Sequence, residues 1–155
     1  MQDTLPIHFA PLQGYTEAIY RNAHDAFFGG VDTYYTPFVR LEKGNFRRRD
    51  VRGIEPENNG VPHLIPQLIA SSAEKAEVIL SLFIEKGYQE VDINLGCPFP
   101  LLAKRHNGSG ILPYPEEVKA LLSIVTRYPQ ISFSVKMRLG WEQPDECLAL
   151  APILN

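Results

Sequence analysis

A chain of 155 residues, 45% hydrophobic and 21% charged, is long enough to bury a core and too apolar for a disordered polar segment. Its 18 acidic and 15 basic side chains leave a formal net charge of -3, which argues against a surface built wholly for nucleic acid. No apolar run approaches the roughly 20 residues of a membrane span, the start Met1-Gln2-Asp3-Thr4 lacks the basic and apolar regions of a secretion signal, and two cysteines, Cys97 and Cys147, are too few for a disulfide framework. The expectation is one cytoplasmic domain with reduced thiols.

Short runs rich in Ile, Val, Phe and Tyr predict strands at 7–11, 33–36, 63–69, 90–94 and 132–137. Amphipathic stretches between them predict helices at 17–28, 72–86 and 115–128, with another starting near Pro144. The second helix is the best delimited. Ser71 or Ser72 caps its start, Glu74 and Glu77 complement its dipole, and Gly87 accepts the left-handed geometry at its end. Residues 40–60, with their charges and the turn signal Asn58-Asn59-Gly60, read as one long loop between strand and helix. Between Arg40 and Arg52 lie six basic and two acidic residues, so a local basic patch survives the acidic balance. Phosphate contact and a solvated face are equally open readings of it.

Apolar strands alternating with helices imply a parallel α/β sheet with right-handed crossovers. The residues after the first strand, Ala10-Pro11-Leu12-Gln13-Gly14, form neither a GxGxxG nor a Walker loop, which favours a barrel over a doubly wound sheet. A complete (β/α)8 barrel takes about 250 residues. Five predicted strands, and a fifth helix interrupted at Pro152-Ile153-Leu154-Asn155, fit the N-terminal five-strand portion of a TIM barrel.

Barrel active sites form where strands end. The residues there are Pro11, Leu12 and Gln13 after the first strand, Gln67 at the third, Asn94-Leu95-Gly96-Cys97-Pro98 after the fourth, and Lys136 and Arg138 at the fifth. The four histidines, His8, His24, His63 and His106, show neither i, i+4 pairing nor an HExxH pattern, so no metal is expected.

These segments, together with Tyr35-Thr36-Pro37-Phe38-Val39, Pro66-Gln67-Leu68, Asp92-Ile93-Asn94-Leu95-Gly96-Cys97-Pro98 and Val135-Lys136-Met137-Arg138-Leu139-Gly140-Trp141, resemble the flavin-dependent tRNA-dihydrouridine synthases. The resemblance runs in order over nearly the whole chain, and the DINxGCP and VKxRLGW blocks together make it specific. It implies FMN and NADPH as cofactors, tRNA as the partner, and reduction of the uracil C5–C6 double bond with Cys97 as the acid that protonates C5. It further implies flavin contacts from Pro11, Leu12, Gln13, Gln67 and Lys136, and substrate contacts from Asn94 and Arg138. The rest of the barrel and a C-terminal helical RNA-binding domain are expected outside this segment. Three departures stand out: Leu12 where the family commonly has Met, Pro37 where it has Glu, and Gly108-Ser109-Gly110-Ile111-Leu112 in place of a Gly-Ala-rich stretch that shares its small residues.

The residue chemistry agrees with these roles. An ordinary cysteine thiol titrates about 8.5 and keeps its proton at neutral pH, as a proton donor must. Lys136 is placed to stabilise negative charge on a reduced flavin ring. Arg138 stands open between a substrate contact and a pair with a barrel carboxylate. Cys147 reads as a core residue and Trp141 as packing, while for His106 a solvated turn is favoured over a contact with RNA phosphate. The rival readings are another FMN barrel oxidoreductase, such as a dihydroorotate dehydrogenase, and an inactive truncated fragment. The 155 residues alone are expected to self-associate through open barrel edges, to bind FMN poorly and to lack activity.

Overall fold

The computed structural model describes residues 5–154; the readings made at Met1 to Thr4 and at Asn155 lie outside the described residues. The chain opens with β1 (His8–Phe9), α1 (Ala18–Phe27) and β2 (Thr33–Tyr35). β1 pairs in parallel with β2, as an α-helical crossover requires.

Residues 40–60 are not the expected loop. They fold into an antiparallel hairpin of β3 (Leu41–Glu42) and β4 (Asn45–Phe46), then α2 (Arg48–Ile54) and a 3-10 turn at Pro56–Asn58. The hairpin turns on Lys43 and Gly44, both at positive φ (50° and 79°), the combination of a type I′ turn. Lys-Gly is a weaker signal for that turn than Asn-Gly, and the dense charge masked the short helix.

The third predicted strand is two. β5 (Leu64–Ile65) pairs with β2, and β6 (Gln67–Leu68) pairs with β7 (Glu90–Leu95), with Pro66 between them. A proline lacks the N–H that a continuous ladder needs, so pairing changes partners at this point. Pro66 still accepts a hydrogen bond from Asp92 N at 3.0 Å, and a parallel bridge from Val39 to Leu68 joins the two sheets.

α3 (Ala73–Glu85) matches its predicted span. The Ser72 hydroxyl caps it by accepting from Lys75 N, and Gly87, at φ 86°, lets Tyr88 N reach back to Phe83 O. Replacing Ser72 with alanine is expected to cost about 1 kcal/mol, measured by urea unfolding. After β7 come the short α4 (Pro100–Ala103), a 3-10 turn at Gly108–Ile111, α5 (Pro115–Arg127), β8 (Ser132–Met137) and α6 (Glu146–Leu154). β8 pairs in parallel with β7 along six residues.

The strand orders β1-β2-β5 and β6-β7-β8 follow the chain without the reversal that marks a doubly wound sheet. On one face of β7, Val91, Ile93 and Leu95 join a core with Ile79, Leu80 and Phe83 of α3 and Leu121 and Ile124 of α5. Each fully buried aliphatic side chain contributes about 1.5–3 kcal/mol. The opposite face carries Asp92 and Asn94, followed across the ladder by Ser134 and Lys136. Helices on one face and polar side chains on the other make this a mixed α/β architecture consistent with part of a barrel.

Arg21, which the helical pattern gave no reason to bury, is fully enclosed on α1. Its guanidinium donates to Thr16 O (2.6 Å), Gly53 O (2.8 Å) and Asn59 Oδ1 (2.5 Å), locking α1 to the end of α2. Burial pulls its pKa down to about 10, so it stays charged at neutral pH. Among the described residues no helix is long and apolar enough to cross a membrane.

Candidate active site

Seven of the eight residues singled out from the sequence meet in one cleft at the C-terminal ends of the strands: Pro11, Leu12 and Gln13 on one wall, Gln67 and Asn94 on the floor, and Cys97 with Lys136 on the other wall. Pro37, Phe38, Gly96 and Pro98 complete the lining. Arg138 does not line the cleft. It lies one residue past the end of β8, exposed, with its Cγ against the backbone of Gly96.

The floor follows from strand periodicity. Asp92 and Asn94 alternate with the core residues Val91, Ile93 and Leu95, so both face away from the helices. Parallel register then sets Gln67 beside Asp92, Asp92 beside Ser134, and Asn94 beside Lys136. Gln67 Nε2 donates to Asp92 Oδ2 at 2.6 Å, Ser134 Oγ donates to Asp92 Oδ1 at 2.7 Å, and Asn94 Nδ2 donates to Gln67 Oε1 at 2.8 Å. Thr36 Oγ1 accepts from Gln67 N at 3.0 Å. Burial pushes the Asp92 carboxyl up, while the bonds from Gln67 and Ser134 and the charge of Lys136 pull the other way. Asp92 was legible only as part of a motif, although its i, i+2 spacing from Asn94 already put the two on one face.

Asn94 Oδ1 accepts two backbone N–H groups, from Gly96 (3.0 Å) and Cys97 (2.9 Å), and so shapes the turn that carries the thiol. From the other side, Ser109 donates both its backbone N–H and its hydroxyl to Cys97 O, each at 3.0 Å. Gly108 packs on this turn at φ 60°, where a Cβ would stand 2.6 Å from Cys97 O. Contact with the cysteine loop therefore requires a glycine at 108, while Gly110 packs against the backbone of Ala103. Cys97 itself is a half-buried free thiol.

Gln13 reaches Phe38 O with Nε2 at 3.5 Å, while its Oε1 is buried without a hydrogen-bond partner. Lys136 makes no ion pair among the described residues and is exposed on the cleft side of β8. The cleft thus offers a protonatable thiol, a fixed cation, an unpaired amide oxygen and the remaining N–H groups of two buried amides.

The sequence model of the dihydrouridine synthase family matches residues 8–155. The chain belongs to this family. It is 30% identical over 159 residues to the tRNA-dihydrouridine(16) synthase of Pseudomonas putida, covering 97% of this chain and 49% of that protein. It is 29% identical over 139 residues to the probable tRNA-dihydrouridine synthase 1 of Synechocystis sp., covering 86% and 37%. It is 31% identical over 88 residues to the tRNA-dihydrouridine synthase B of Klebsiella pneumoniae, covering 56% and 27%. The chain therefore spans about a quarter to a half of the length of these relatives.

The structure also places the other residues read from the sequence. Cys147 is half-buried, with its thiol donating to Pro144 O at 3.1 Å, so it is not a core residue, and Trp141 is 41% exposed. His106 lies in the turn after α4, at φ 53°, and is half-buried. It stacks on Tyr114 with ring centroids 4.2 Å apart, and its Nδ1 pairs with Glu117 at 2.7 Å. No cluster of three or more metal-ligating side chains occurs among the described residues.

Proposed function

We propose that this chain forms the flavin-binding catalytic part of a TIM-barrel tRNA-dihydrouridine synthase, which reduces the uracil C5–C6 double bond in tRNA. The observation that carries the reading is the Cys97 thiol held over the cleft by paired backbone bonds from Asn94 and Ser109, opposite Gln13 and beside Lys136. The names of the relatives supply the substrate class.

The cleft residues fit a flavin ring. The buried Gln13 Oε1 lacks a donor, which the ring N–H of an isoalloxazine provides, and an unpaired buried acceptor is otherwise costly. Pro11 and Leu12 would bound the ring, Gln67 would meet its polar edge with its remaining amide N–H, and the Lys136 ammonium would face its negative charge when reduced. Bound FMN, reduced by NADPH, would supply the hydride for uracil C6. The protein residues do the rest. Cys97 releases its proton to C5, and the thiolate so formed recovers a proton from solvent. Asn94 has both Oδ1 lone pairs committed to backbone N–H groups, so toward a bound base it acts as a donor and suits a uracil carbonyl. Arg138, beside Gly96, is placed for a contact at the rim with the nucleotide's surroundings.

A path for the RNA backbone is also supported. Arg40, Lys43, Lys75 and Arg105, from three separate segments, line one groove whose lining includes no carboxylate. Arg40, Arg47 and Arg49 are less available, because Arg40 and Arg47 pair with Glu42 (3.5 and 3.9 Å) and Arg49 with Glu17 (2.8 Å). Replacing Lys43, Lys75 and Arg105 with glutamine is expected to weaken tRNA binding and to lower the slope of log K against log salt by roughly 2–3, since each phosphate contact adds about 0.7–0.9. An unchanged slope returns these cations to the solvated surface.

The functional reading is tested by the half-reactions of the native protein. It should carry FMN, accept electrons from NADPH, and be reoxidised by tRNA and not by orotate. Reoxidation by orotate alone would favour the dihydroorotate dehydrogenase reading.

A further inference from the structure

We propose that Asp92 is a positioning residue: its carboxylate fixes the orientation of two amides in series, Gln67 and Asn94, and through them the backbone turn that carries Cys97. The assignment of a catalytic purpose to this chain of bonds rests on the reading of Cys97 as the proton donor; the chain of bonds itself does not.

The argument is one of donor and acceptor parity. At one end stands a carboxylate, which only accepts; at the other stand the N–H groups of Gly96 and Cys97, which only donate. Between them lie two amides, each with one accepting and one donating end. Gln67 gives Nε2 to Asp92 (2.6 Å) and so must turn Oε1 toward Asn94. Asn94 gives Nδ2 to that oxygen (2.8 Å) and so must turn Oδ1 toward the Gly96 and Cys97 N–H groups. Every member is satisfied in this arrangement. Reversing either amide sets oxygen against oxygen and nitrogen against N–H.

Water cannot repair such a mismatch here, because Gln67, Asp92 and Asn94 are 0%, 2% and 8% exposed. Ser134 holds the other carboxylate oxygen at 2.7 Å from the neighbouring strand, so Asp92 is itself clamped between β6 and β8. The turn therefore takes its geometry from a residue five positions before the thiol that does not touch it.

The test is alkylation of Cys97 by iodoacetamide, with Cys147 of the same molecule as the internal control. Asp92→Ala removes the accepting end, frees Gln67 and Asn94, and should change the Cys97 rate about fivefold while the Cys147 rate stays the same. Asp92→Asn can still offer an oxygen to Gln67 and its nitrogen to Ser134 Oγ, and should restore a near wild-type rate. In an Asn94→Ala background, Asp92→Ala should add nothing, because its effect travels through Asn94. A wild-type rate in Asp92→Ala, failure of Asp92→Asn to restore it, an additive double mutant, or an equal rise at Cys147 would each overturn the proposal. None of these readouts involves tRNA or flavin, so they stand apart from the outcome of the activity assays.

Discussion

Replacing Cys97 with alanine is expected to leave flavin binding and its reduction by NADPH intact, and to lower dihydrouridine formation by about 10²–10⁴-fold. The factor corresponds to roughly 3–5 kcal/mol of transition-state stabilisation, the contribution of one positioned proton donor. The turn should survive the change, since Asn94 and Ser109 hold the backbone N–H and carbonyl of residue 97 and not its side chain. Single-turnover reoxidation of the prereduced enzyme by tRNA isolates the step. An unchanged rate would remove Cys97 from the chemistry.

A large stability effect is expected at Gly110. A Cβ there would fall within 2.6 Å of Ala103 O, Cα and C, all backbone atoms that cannot rotate away. Gly110→Ala should cost about 3 kcal/mol, the upper range for overpacking, and lower the melting temperature by roughly 6–12 °C. The neighbouring contact of Gly108 with Cys97 O means that the displacement reaches the thiol turn as well. A thermal melt matching the wild type would show that the close packing of α4 on the 108–111 turn is not needed.

The sequence disclosed most of the cleft because the cleft is built from strand ends, and strand ends are where apolar runs stop. Asn94, Cys97 and Lys136 could be placed from that rule alone. What stayed hidden depended on pairing. Asp92 looked like one more polar residue within an apolar strand until register set it between Gln67 and Ser134. Pro66 divided what read as a continuous strand, because a missing N–H matters only once the partner strands are known. The residues 40–60 hid a hairpin and a helix under a run of charges, and pairing with Glu17 and Glu42 then removed three arginines, Arg40, Arg47 and Arg49, from the free basic surface. Arg138 is the one candidate outside the cleft lining, since it lies a single residue beyond β8, at the side of Gly96.

The most direct measurement is the nucleoside content of a uridine-containing tRNA transcript after incubation of the native protein with FMN and NADPH. Dihydrouridine should appear with the wild type and be nearly absent with Cys97→Ala. A transcript that keeps all its uridine with a flavin-loaded, NADPH-reduced wild-type protein, or equal dihydrouridine from both proteins, would contradict the assignment of this cleft to uracil reduction by a Cys97 proton donor.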